Sequence, residues 1–412
     1  MTASKTPSGL GIHYFPDDRH FRSKDLELWI PELKSMDLRW LVLSGSLSHA
    51  IPEDFLRHLT EAGIEPVLLL DREPIRPVTG VVESIFRSYR RAGIRFIAPF
   101  PAPNLTSSWA ADDGLSTSPV DRFLNIFPPV AERILSEGMI PVFPMLDPDG
   151  NYWSLAFLEA FLTGMDHCGA GELARKLVLA VDFSARNRPL DWGAGGSARW
   201  PEARPYLTPP GSQDHHGFQG YSWVDEIVRR TLGTSLSMIG LRAGATVGDI
   251  TDAEYPPVDP IRHDEVNLQV AQIAAGARFH APVLCLCFRL LAAEEGTSEA
   301  AEAWFRNDGT TLPIVDSLKR RALARNLHPS PVMRKSLRHY LLLPQDPGSI
   351  SAHTWESLRD YLMAFQPVCG FSIAEACQAE KVTILGGTPS TVTALRLRDS
   401  GCHVDFLSAE RM

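Results

Sequence analysis

Residues 65–100 read EPVLLLDREPIRPVTGVVESIFRSYRRAGIRFIAPF. An apolar run, Glu65 to Asp71, ends in a polar, Pro-containing break. A helix-period segment, Val81 to Ala92, follows and stops at Ala92-Gly93-Ile94, where glycine can take the left-handed conformation that closes a helix. A second apolar run, Arg95 to Phe100, then begins. Strand, break, helix, turn, strand is the grammar of a βα unit, and parallel neighbours need such a crossover.

Working outward, the same grammar recurs from residue 10 to about 290. Candidate strands are Leu10 to Phe15, Trp40 to Ser46, Glu65 to Asp71, Arg95 to Phe100, Met139 to Met145, Lys176 to Phe183, Leu236 to Leu241 and Val283 to Phe288. Helical segments such as Asp25 to Met36 and Glu53 to Ala62 lie between them. The set matches what a closed (β/α)8 barrel of about 250 residues requires. An open doubly wound sheet is the alternative, but no Gly-rich phosphate loop follows the first strand. The fold expected is therefore an α/β TIM barrel.

Two segments interrupt the repeat. Phe183 to Ser222 is a long loop rich in Gly, Pro, Trp and Arg, and such insertions cover a binding face or are disordered. Trp192, Trp200 and Tyr206 suggest that it forms an ordered lid. After Leu318, a basic helix (Lys319 to Asn326) and the turn His328-Pro329-Ser330-Pro331 mark a boundary. Beyond it, short strands and helices alternate again. The expected division is a barrel over residues 1–325 and a small α/β unit over 335–412.

The chain has 412 residues and a formal net charge of −9. A diffusely acidic surface does not attract a nucleic-acid backbone or an anionic membrane, so neither is expected as a partner. There is no basic start with an apolar run behind it and no long apolar span, which makes cytoplasmic residence the expectation. Six scattered cysteines show no metal-ligand spacing and suit a reduced compartment. Neither a metal nor a cofactor is expected.

Several strand ends resemble those of TIM-barrel glycoside hydrolases of the large retaining clan that includes cellulases and β-galactosidases. GIHYFP resembles the first strand of that family. FPAPNLTSSW (Phe100 to Trp109) resembles the fourth strand end, where Asn-Glu-Pro-Asn carries the acid/base. GLRAGATVGD (Gly240 to Asp249) resembles the seventh, where a glutamate is the nucleophile. EYPPVDPIRHDE, VLCLCFRLLA and AWFRNDGTTLPIVDSLK follow in family order, and the resemblance covers roughly residues 10–320.

Carried over position by position, the resemblance puts the acid/base on Ala102 and the nucleophile on Arg242. Neither is a carboxylate, whereas retaining hydrolysis needs two carboxyl groups about 5 to 5.5 Å apart. An arginine, protonated to above about pH 12, also opposes an oxocarbenium-like centre. The resemblance thus implies a catalytically degenerate glycosidase-like protein that binds a saccharide or another small, even anionic, ligand, or that serves as an interaction scaffold. Two alternatives stand beside it. One is an active glycoside hydrolase with relocated carboxylates, Asp71 and Asp182 being first choices because each ends a strong apolar run. The other is a structural subunit that meets a protein partner through the C-terminal unit and Lys319 to Arg325.

Ligand-binding candidates are the strand-end residues His13, Asn104, Asp182 and Arg242, with Trp109 as a stacking platform. Arg242 is expected at the barrel mouth, paired with Asp182, because burying either charge alone costs several kcal/mol. Asp17-Asp18 and Asp147-Pro148-Asp149-Gly150 read as turns. His215 and His216 read as surface loop residues.

Overall fold

The computed structural model describes residues 9–78, 82–110, 118–276, 279–327, 335–344, 352–385, 393–394, 397 and 400–407. Eight strands close a parallel barrel in sequence order: β1 (Gly9–His13), β2 (Trp40–Ser44), β3 (Glu65–Leu69), β4 (Phe96–Ala98), β5 (Ile140–Phe143), β6 (Val178–Ser184), β7 (Ser237–Gly244) and β8 (Val283–Phe288). β1 pairs with β2 on one side, Gly11 opposite Trp40, and with β8 on the other, Gly9 opposite Cys285. The expected (β/α)8 architecture is present.

Helices return the chain after each strand: α1 (Ser23–Ser35), α2 (Glu53–Glu61), α3 (Val82–Arg91), α4 (Pro119–Ser136), α5 (Ser154–His167) with the short α6 (Gly171–Ala174), the short α7 (Gly196–Arg199) with α8 (Gly220–Leu232), α9 (Pro260–Ala275) and α10 (Pro313–Leu327). The sequence explains where they stop. After α2, Gly63 takes φ +77° and its amide bonds to Thr60, while the Ile64 amide reaches back to Leu59. Gly93 repeats this after α3 with φ +82°. In both, a glycine just past the helix satisfies the orphan carbonyls and turns the chain into the next strand.

Strand residues alternate between two cores. Ile12, Leu41, Leu43, Leu68, Ile97, Leu179 and Met238 belong to the apolar shell between sheet and helices. Their neighbours face inward. Low in the barrel, the Trp40 and Phe96 rings lie 5.3 Å apart. A Cβ on Gly11 would come within 2.7 Å of the Trp40 carbonyl oxygen and 2.8 Å of Cys287 Sγ, so the interior closes there only because Gly11 has no side chain. Above this floor the inward positions turn polar.

The chain divides into two compact units between Ala324 and Arg325. The second contains β9 (Leu337–Leu342), α11 (Ala352–Phe365), β10 (Val368–Gly370), α12 (Ile373–Ala376), β11 (Ala379–Leu385) and β12 (His403–Leu407). Its four strands are all parallel in the order β10-β9-β11-β12. Tyr340, Val382, Ile384, Leu397 and Val404 pack in one cluster, and Leu341, Leu343, Leu358 and Leu385 in another. The turn at residues 328–331 lies outside the described residues.

Candidate functional site

The carboxyl ends of the barrel strands open into a cleft of about 570 Å³. β1 supplies His13, β2 Ser44, β3 Asp71, and the loop after β5 Asp147 and Asp149. From β6 come Ser184 and Arg186, from β7 and its loop Leu241, Arg242, Thr246 and Asp249, and from beyond β8 Arg289 and Glu302. Every strand, or the segment that directly follows it, contributes to the described lining except β4.

Arg242 reaches the mouth because the strand is irregular there. The pairing of β6 with β7 shifts register at Val181/Asp182, and that of β7 with β8 between Gly240 and Ala243. Such a bulge turns a side chain away from strict alternation. Arg242 Nη2 donates to Asp182 Oδ2 at 2.7 Å, and the Asp182 carboxylate also accepts from the Ser184 amide at 2.8 Å. Asp182, with Asp147 and Asp249 nearby, pushes the guanidinium further above its ordinary value, so it stays charged. Asp182 is thereby committed to holding Arg242 and is a poor candidate for a relocated acid or base.

Two further arginines are held in the same way. Arg186 Nη2 donates to Asp149 Oδ2 at 2.6 Å, and Arg289 Nε to Glu302 Oε2 at 2.7 Å. His13 Nε2 bonds to the Leu241 carbonyl. Burial, together with Arg289 and Arg242, lowers the imidazole to about 3 against the opposing pull of that hydrogen bond. It is therefore neutral, with Nδ1 as its acceptor nitrogen.

Asp71 is open to the cleft yet crowded by protein elsewhere. Desolvation raises its carboxyl despite the Ser44 hydroxyl, which donates to Oδ1 at 2.6 Å. Arg72 Nε donates to that same hydroxyl at 3.2 Å and holds it in place. Asp249 is raised for the same reason, with Glu302 adding to the effect.

Other sequence-derived candidates lie away from the described lining. Ala102 does not line the cleft but sits in a turn closed by the Leu105 amide on its carbonyl. Asn104 is buried, and its amide clamps two loop segments: Nδ2 donates to the carbonyls of Asp147 and Tyr152, and Oδ1 accepts from the Asp147 amide. The Trp109 ring packs under Arg122 at 4.1 Å and against Phe123, with Nε1 bonded to the Pro103 carbonyl. Both residues build structure rather than the cleft, because β4 ends at Ala98 and the chain turns aside.

The long insertion is an ordered layer, and only Ser184 and Arg186 of it reach the cleft, which it leaves open. Its centre is Arg188, stacked on Trp192 at 4.2 Å, with Nε on Asp252 and Nη1 on both Asp214 and the His216 carbonyl. Burial would raise Asp214, but hydrogen bonds from His216, Trp192 and Thr208 with the charge of Arg188 hold it well below the usual carboxylate range. Asn187 fastens the same layer to the β7 loop through Asp252 and Tyr255. His215 and His216 pack inside this layer; His216 Nε2 bonds to the Pro148 carbonyl at 3.2 Å.

Sequence reasoning missed Arg289, Glu302 and Arg186. Arg289 directly follows β8, and that strand-end position was the signal available. Glu302 comes from an irregular segment that no pattern marks.

A closed parallel barrel with a polar cleft at the carboxyl ends of its strands defines a TIM-barrel protein. No protein-family profile and no curated protein matches the sequence. Solved structures do match. A family 39 glycoside hydrolase from Bacteroides cellulosilyticus superposes with a TM-score of 0.52 at 11% identity, over 78% of this chain and 64% of that one. A monomeric β-xylosidase from Caulobacter crescentus gives 0.46 at 13% identity, over 77% and 69%. The likeness is one of fold, and the chain spans less than two thirds of the first of these proteins. Among the described residues, no helix is long and apolar enough to cross a membrane.

Proposed function

We propose that the barrel is a non-hydrolytic relative of the glycosidases whose fold it shares, binding a saccharide in the cleft at its mouth. The observation that carries this reading is Arg242 at the end of β7, ion-paired with Asp182, together with a described cleft lining that takes nothing from β4. A retaining site needs a proton donor and a nucleophilic carboxylate on opposite sides of the scissile bond. Here one place holds a permanent cation and the other, Ala102, no carboxyl group and no part in the described lining. Supporting a saccharide is an exposed aromatic pair outside the described lining, Trp153 in the segment after β5 and Tyr206 in the insertion after β6, with ring centroids 5.2 Å apart. Rigid amphipathic rings of this kind offer a flat apolar surface to a pyranose. A purely docking role for the barrel is less well supported, since the insertion leaves the cleft open.

One observation favours a second reading, an active hydrolase with a relocated acid. Asp71 is open to the cleft with a raised pKa, as a proton donor requires. A panel of aryl α- and β-glycosides separates the two. We expect no turnover above the enzyme-free rate from the wild type, nor from Ala102→Glu or Arg242→Glu alone. Wild-type turnover that Asp71→Asn abolishes would establish the second reading.

A further inference from the structure

The charges around the cleft divide unequally. Its three arginines are each already matched by a carboxylate: Arg242 by Asp182, Arg186 by Asp149 and Arg289 by Glu302. Three lining carboxyls remain, Asp71, Asp147 and Asp249, on three sides of the opening. Among the described residues none of them forms an ion pair, and their hydrogen bonds come from neutral donors: the Ser44 hydroxyl, the Asp149 amide and the Thr246 amide. His13 is neutral and balances none of this charge.

Resting on the saccharide reading above, we infer that the ligand of this cleft carries a protonated amine, which makes it an amino sugar rather than a neutral or acidic one. An added anion would meet three arginines that are already engaged and an excess of negative charge. A neutral sugar would leave desolvated carboxylates with arginines nearby but no direct ion pair as it displaced water. An ammonium group on the sugar ring brings the missing charge and three donors to acceptor-only carboxylates, while the ring hydroxyls use the remaining acceptors. Burial raises Asp71 against the charges of Arg72 and Arg289, and Asp249 against those of Arg186 and Arg242, so the nearby arginines do not fully offset the desolvation of either carboxyl.

The test is isothermal titration of the full chain at low ionic strength with four probes: a glucosamine oligomer, its N-acetylated counterpart, a cello-oligosaccharide of equal length, and spermidine. The glucosamine oligomer is expected to bind at least tenfold tighter than the other two sugars, and to weaken as salt is raised. Asp71→Asn and Asp249→Asn, each first checked by its melting temperature, should weaken the glucosamine oligomer more than the cello-oligosaccharide. If one variant fails to fold, Asp147→Asn takes its place. Equal affinity for all three sugars overturns the inference and leaves the saccharide reading intact. Spermidine binding without any sugar overturns the saccharide reading. No binding by any probe overturns both.

Discussion

At the scale of single residues, His13 is the group whose state is easiest to read in solution. Its folded pKa of about 3 lies below the unfolded value, set down by burial and by Arg289 and Arg242. Between those values the unfolded chain binds a proton that the folded chain does not. The neutral imidazole's contribution to stability is thus complete above about pH 6.5 and is lost as pH falls. Well inside that window one such group contributes a slope of about 1.4 kcal/mol per pH unit. His263, lowered to about 4, and His215, lowered to about 3, act in the same direction, while the raised carboxyls of Asp71 and Asp249 act in the opposite one. His13→Gln keeps a donor for the Leu241 carbonyl and isolates one proton. Urea unfolding from pH 6 to pH 4 should show a shallower loss for the variant by close to that slope. Parallel pH profiles would mean that His13 is charged in the folded barrel.

At the scale of elements, glycines serve two separate purposes, and substitution tells them apart. Gly63 has φ +77° and open space where a Cβ would go, so Gly63→Ala meets only backbone strain, about 1 kcal/mol. Gly11 is free of that strain but faces the Trp40 backbone at 2.7 Å. Gly11→Ala must push two strands apart and should cost about 3 kcal/mol or more. Chemical denaturation midpoints that rank the two the other way would place the interior packing elsewhere. The first purpose was legible in Ala-Gly-Ile because a helix stop is local. The second was not, since it depends on which residue β2 sets beside β1. The same distinction governs the site. Asp182 and Arg242 could be paired in advance as strand-end residues on neighbouring strands. Asn104 and Trp109 lie outside the described lining because β4 is only three residues long and its sequel turns away. Glu302 arrives through irregular chain, which carries no periodicity to read.

At the scale of the whole molecule, the barrel was legible because eight repetitions of one pattern average out errors at individual boundaries. The cleft was not, because its charge balance depends on which of its carboxylates are already taken. The layer over β6 and β7 bears on how this barrel moves. Arg188 joins Asp214, Asp252 and the His216 carbonyl, and Asn187 joins the β7 loop to the same point. No segment of this layer can lift without breaking the charge-assisted bonds of the others. Amide hydrogen exchange should therefore report residues 187–192, 214–216 and 252–255 opening as a single cooperative unit with one shared free energy. In Arg188→Ala that unit should separate into segments exchanging at unrelated rates, so that a roof that now opens as one piece would fray segment by segment.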